Sequence, residues 1–164
     1  MSVPLSAIRD TSDGPSQLRL EVDVAAPVER TWAALTDWQR QGEWMLATRV
    51  RATTGGGRGV GGGIEAVTGV GPVGLVDSME ITGWDPPHGA YVRHLGRVIR
   101  GTASFEVRPR PGGSTVIWTE DLDLPFGAAG RIGFRAARPV VAYGLRLSLR
   151  RFAAWAPGYV GGSR

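Results

Sequence analysis

Residues 17–24 read QLRLEVDV and alternate without error, with Leu18, Leu20, Val22 and Val24 on one side and Gln17, Arg19, Glu21 and Asp23 on the other. That period predicts a strand with one dry and one wet face. A short helix is predicted next. Pro27 suits the first helical turn, Glu29 favours the positive end of the helix dipole, and Val28, Trp32 and Leu35 form a buried stripe. Asp37 and Trp38 lead out of it towards a second short turn ending near Trp44. From about residue 47 to 124 the period falls to two, predicting strands at 48–53, 63–69, 73–84, 89–95, 99–108 and 114–122. The breaks between them are the glycine run 55–63, Gly71-Pro72, Asp85-Pro86-Pro87, Gly96 and Pro111-Gly112-Gly113. Seven strands joined by short links imply an antiparallel meander. Residues 127–155 then read as one long helix with Pro139 inside it, where a kink or the effective start is expected. Ile132, Ala136, Val140, Tyr143, Leu147 and Ala154 are expected on its apolar side, and Arg131, Arg135, Arg138, Arg146 and Arg150 on a basic stripe. The fold class is therefore α+β. One domain, 17–156, is expected between a flexible leader, 1–16, and a flexible tail, 157–164.

Composition narrows the chemistry. With 164 residues, 42% hydrophobic and 21% charged, the chain can bury a core without staples. No apolar run reaches the roughly 18 residues of a membrane helix, and no secretory pattern opens the sequence, so the cytoplasm is the expected location. Cysteine, lysine and asparagine are all absent, which removes disulfides, thiol nucleophiles, thiolate zinc sites, Schiff bases and N-glycosylation. His88 and His94 are the sole imidazoles, so neither a metal nor any other cofactor is expected. All nineteen basic residues are arginine, with net charge +4. Because Asp and Glu are spread throughout, nucleic-acid binding is not expected.

Three features bear on function. The run Gly57-Arg58-Gly59-Val60-Gly61-Gly62 has the spacing of a dinucleotide fingerprint, but it leads into Ile64-Glu65-Ala66-Val67, a strand, where a phosphate would need a helix N-terminus. It reads instead as a flexible hairpin or a mobile lid. Six tryptophans point to large apolar surfaces needing cover. Two strands also carry polar residues among apolar ones. Val116, Trp118, Glu120 and Leu122 share a face, and near Tyr91 the faces are Tyr91, Arg93, Leu95 and Val92, His94. Arg93 and Glu120 are either solvated or structurally paired, or they face a cavity and orient a ligand. The candidate ligand-binding residues are Tyr91, Arg93, Trp118, Glu120, Tyr143 and Leu147. For proton chemistry the candidates are Arg93, His94, Glu120 and Tyr143.

Certain residues carry a family resemblance: Ala26-Pro27-Val28-Glu29-Arg30-Thr31-Trp32, Leu35-Thr36-Asp37, Trp44, Gly59-Val60-Gly61, Trp84-Asp85-Pro86-Pro87 and Gly113-Ser114-Thr115-Val116. With the order of elements, they make residues 17–156 resemble the polyketide cyclase/dehydrase branch of the START-like, or SRPBCC, superfamily. The resemblance implies a helix-grip fold, a seven-stranded antiparallel sheet wrapped around the long C-terminal helix, with a cavity between them. It implies a small hydrophobic ligand, a lipid, polyketide or aromatic metabolite, as partner. No catalytic residue is carried over, because the matched motifs are structural. Members include carriers and aromatase/cyclases, so fold alone does not choose the function. The alternatives are a cyclase or dehydrase acting on an enclosed substrate, and a peripheral membrane or partner-binding module using the Arg-rich helix. Membrane contact is not the expected outcome.

Overall fold

The computed structural model describes residues 3–14, 16–71, 73–96, 99–123 and 127–161. Its strands are β1 (Arg9–Asp10), β2 (Gln17–Val24), β3 (Thr48–Ala52), β4 (Gly63–Val70), β5 (Val73–Asp85), β6 (Gly89–Leu95), β7 (Arg100–Arg110) and β8 (Gly113–Leu122). The helices are α1 (Val28–Leu35) and α2 (Gly127–Trp155), with short 3-10 turns between elements, among them Trp38–Glu43. All strands pair antiparallel in one sheet of order β1-β2-β8-β7-β6-β5-β4-β3. The meander thus runs outward from β8 to β3, while β2 returns to lie against β8.

The expected sheet and helix are both present, with one strand more than the sequence predicts. The extra strand is β1, in the segment expected to be a loose leader. Arg9 and Asp10 pair with Glu21 and Leu20 on the free edge of β2, and Ile8 before them is buried. Arg9 also lies against Asp23 at 3.1 Å, and Asp10 accepts a 2.8 Å hydrogen bond from Arg146 of α2. The first residues are therefore strapped across the sheet edge to the helix.

Alternation decides what each strand buries. Leu18, Leu20, Val22 and Val24 of β2, Ala90, Val92 and His94 of β6, Ala103, Phe105 and Val107 of β7 and Val116 and Trp118 of β8 lie on the concave side and are all buried. On β5 the register slips between Ile81 and Gly83. This bulge reverses the parity and brings Trp84 back beside Ala90, where its ring meets that of Trp32 at 5.1 Å. Gly83 is required here: a Cβ would lie 2.8 Å from the ring of Tyr91, which covers it.

α2 closes the concave side, along a stripe different from the expected one. Ala142, Leu149, Phe152 and Ala153 are buried, at spacings of a single helical face, and Leu145 is partly buried with them. Ile132, Val140 and Tyr143 are 70%, 74% and 57% exposed, so the face assigned from the sequence is the outer one. Both faces contain apolar residues at helical spacing, and small Ala142 and Ala153 occupy the inner one because the helix must come close to the sheet. The helix runs unbroken through Pro139, and among the described side chains the fully buried ones lie beyond it, from Ala142 on. Trp44, wholly buried, links the layers: its ring stands 4.8 Å from Phe152 and 6.3 Å from Trp118, which in turn meets Phe105 at 4.3 Å.

The glycine run, expected to be a flexible hairpin or a lid, is anchored at several points. Gly55, Gly56, Gly57, Gly59 and Gly61 adopt positive φ, which explains why glycine is used. The run is nonetheless tied down: the Trp38 Nε1–H donates to the Gly57 carbonyl at 2.7 Å, and Gly61 and Gly62 exchange backbone hydrogen bonds with Ile81. The strand that follows, β4, is where the dinucleotide reading required a helix.

Candidate functional site

On the concave side, three strands bring two carboxylates and an imidazole together among mainly apolar residues. Asp77 on β5, His94 on β6 and Glu120 on β8 have the buried parity of their strands. The His94 Nδ1–H donates to Asp77, with its carboxylate oxygens at 2.8 and 3.0 Å, and the Nε2–H donates to Glu120 Oε2 at 3.2 Å. The other Glu120 oxygen accepts from Trp118 Nε1–H at 2.7 Å.

The backbone explains how groups on β6 and β8 can touch. β7 lies between them, so their axes stand roughly 10 Å apart. His94 is opposite Gly101 of β7, and Glu120 is opposite Ala103. A hydrogen and a methyl group are all that β7 raises there, and the imidazole and carboxylate meet above it. Gly101 is fixed by the backbone too, since its φ is +119° and a Cβ would collide with the Asp121 carbonyl. Asp77 reaches His94 diagonally, because Met79 is the direct cross-strand partner of His94.

A neutral imidazole has one N–H, and here both ring nitrogens face carboxylate oxygens, so the geometry calls for an imidazolium. Burial, the largest single influence, pulls the pKa of His94 down, but the hydrogen bonds and charges of Asp77 and Glu120 outweigh it and push it up to about 9. The side chains of His94, Asp77 and Glu120 are 4%, 12% and 19% exposed, so the cation is sealed and its acids are partly open. The carboxylates stand against opposite nitrogens of the ring and do not converge on a point between them, and no cluster suited to a metal ion occurs among the described residues.

The candidates from sequence divide. Trp118 and Glu120 are in the cluster, joined by His94. Tyr91 and Arg93 are not: both occupy the outer face of β6, Tyr91 50% exposed and Arg93 paired with Glu80 at 2.7 Å. Tyr143 is exposed and Leu147 half-buried, and helical spacing puts both on the side of α2 turned from the buried stripe. Asp77 was missed. Its signal is the same as that of Glu120, a carboxylate at the parity of Met79 and Ile81.

Near the cluster, Trp44, Phe105, Trp118 and Phe152 pack ring to ring between sheet and helix. Beyond Asp77 the cover ends. Leu75 and Val73, on the same face of β5, are 41% and 76% exposed, and Val70, opposite Val73, is 81% exposed. Two surface hollows lie away from the cluster. One of about 230 Å³ is bordered by Met45, Thr48, Val67 and Val73, and one of about 420 Å³ by Gly14, Arg135, Arg138 and Pro139.

The family described as "Polyketide cyclase / dehydrase and lipid transport" matches residues 16–156. The chain belongs to this family. No curated protein matches it. Among solved structures, a protein of Rhodobacter sphaeroides is 19% identical with TM-score 0.69, over 93% of this chain and 99% of that one. A protein of Thermus thermophilus is 14% identical with TM-score 0.71, over 85% and 96%. The di-domain ARO/CYC StfQ of the steffimycin biosynthetic pathway is 15% identical with TM-score 0.64, over 86% of this chain and 50% of StfQ. At these identities the likeness is one of fold, and it agrees with the helix-grip architecture. Among the described residues, no helix is long and apolar enough to cross a membrane.

Proposed function

We propose that the chain binds a small, mostly apolar molecule, a lipid, polyketide or aromatic metabolite, with the apolar body over the open end of the concave face and the polar end at Asp77 and Glu120. One observation carries this reading: the cluster of buried charged groups, with its acids partly open, adjoins an uncovered apolar row of Leu75, Val73 and Val70. Apolar surface left in water beside polar groups is the usual form of a ligand site. Family membership gives the reading its context. Native mass spectrometry of the purified protein tests it: a retained apolar compound, lost in Leu75→Arg with the fold intact, is the expected result. A protein that neither retains nor takes up any apolar compound would refute it.

The second reading, a cyclase or dehydrase, draws on the family and on the buried imidazolium as a proton source. With both N–H groups engaged and a pKa of about 9, His94 keeps its proton at neutral pH and behaves as a fixed charge. This favours binding. Turnover with a pH profile abolished in Glu120→Gln would reverse the preference. The membrane-module reading has less to draw on, since Arg138 donates to the Gln17 carbonyl and Arg146 to Asp10. A ligand carrier working in the cytoplasm completes the proposal.

A further inference from the structure

We infer that the polar end of the ligand is a neutral hydroxyl, as in a phenol or an aliphatic alcohol, and that the site discriminates against carboxylates and phosphates. The inference rests on the binding reading above and adds the chemistry of the ligand to it.

The argument is a count of donors and acceptors. Every donor of the cluster is spent: the His94 Nδ1–H goes to Asp77, the Nε2–H goes to Glu120, and the Trp118 Nε1–H goes to Glu120. What remains is acceptor capacity, because each carboxylate oxygen can take more than one hydrogen bond. That capacity lies on the partly open groups, Asp77 and Glu120, whereas the imidazolium is sealed. An approaching ligand therefore meets acceptors and must bring a donor. The charge points the same way: two carboxylates and one imidazolium sum to −1, and an anionic head group would meet like charge in a half-desolvated place. Arg93, the neighbour of His94 along β6, does not reverse this, since it sits on the outer face with Glu80.

The choice between a hydroxyl and an ammonium comes from a second group. Trp44 is wholly buried, its ring packs near Trp118, and its Nε1–H has no acceptor among the described residues. A buried donor left unpaired is costly, and such groups point to a missing partner. Of the small polar groups, a hydroxyl can donate to a carboxylate and also accept from an indole. An ammonium can only donate.

Equilibrium dialysis of the full chain at pH 7 with 2-naphthol, 2-naphthylmethylamine, naphthalene and 2-naphthoate separates these possibilities, because one apolar body is held constant. A hydrogen bond to a charged acceptor predicts that naphthol binds about tenfold or more tightly than naphthalene, with naphthoate the weakest. In Glu120→Gln or Asp77→Asn, either of which must first give the wild-type circular dichroism, the naphthol advantage should shrink while naphthalene binding stays. Naphthoate binding as tightly as naphthol, naphthalene equal to naphthol, or the amine binding more tightly than naphthol overturns the inference and leaves the carrier reading standing. Failure of all four to bind, with no compound retained in native mass spectrometry, overturns both.

Discussion

Raising the pH should destabilise this protein through one residue. The folded pKa of His94 is about 9, against an ordinary 6.5. A raised pKa means that the folded state binds the proton more tightly, so the stabilisation is complete below about pH 6.5 and disappears as pH passes through about 9. The difference of about 2.5 units corresponds to about 3 kcal/mol, since each unit is worth about 1.36 kcal/mol. Against a typical total of about 5–15 kcal/mol this is a large share. The composition makes the measurement clean. The chain has no lysine and no cysteine, and His94 is its buried histidine. Urea titrations across that range should show the midpoint falling by about 1–3 M, taking a slope of about 1–3 kcal/mol/M for a domain of this kind. In His94→Gln the curve should be flat across the same range, its deficit relative to wild type greatest at pH 6 and almost gone at pH 9.5. A wild-type midpoint as flat as that of the variant would show that the two carboxylates do not hold the proton, and the assignment of an imidazolium would fail.

Other outcomes are specific to single contacts. Glu120→Gln should lower the pKa of His94, read from its imidazole resonances in an NMR titration, and cost about 1–3 kcal/mol because Asp77 remains as partner. Phe152→Ala should cost about 3–5 kcal/mol in urea unfolding, because the ring is fully buried against Trp44. Arg93→Ala should stay within about 0.5 kcal/mol and leave ligand retention unchanged, since its pair with Glu80 lies on the open face. The amides of Gly57, Gly61 and Gly63 should exchange slowly in deuterium oxide, because each donates within a turn or to a neighbouring strand, to Thr54, Ile81 and Thr54 respectively. Exchange as fast as in free peptide would support the mobile-lid reading.

What could be read in advance follows from how local each cause is. The strand 17–24 and the α1 stripe were legible because one element's burial pattern is written in its own period, and both appear where expected. Glu120 was legible for the same reason, as a carboxylate among Val116 and Trp118. Asp77 was legible in principle. That His94 would link the two acids was not, because it depends on Gly101 and Ala103 leaving a gap over the intervening strand, a relation among four strands. Tyr91 and Arg93 share a face that single-strand parity could not assign inward or outward; the sheet's curvature around α2 decides it. On α2 the sequence offers two apolar stripes, and their own period does not say which one faces the sheet; the buried one sets Leu149 and Phe152 among small Ala142 and Ala153. The bulge before Trp84 has no local marker beyond Gly83.

The pairing of β2 with β8 joins Gln17 to Asp121 and Val24 to Ser114, segments separated by most of the chain. During synthesis, β2 emerges long before its partner exists. At roughly 5–20 residues per second, about a hundred residues must follow over roughly 5–20 seconds before that edge can be covered. Meanwhile Leu18, Leu20, Val22 and Val24 form an apolar strand whose available partner is the two-residue β1, and β3 to β7 can pair among themselves as successive hairpins without it. Five strands can therefore be assembled while β2 still waits for β8. Completion of the sheet, of the Trp118 contact with Glu120 and of the seat for α2 all depend on residues 113–122, so truncation before them leaves a chain with its most aggregation-prone edge uncovered.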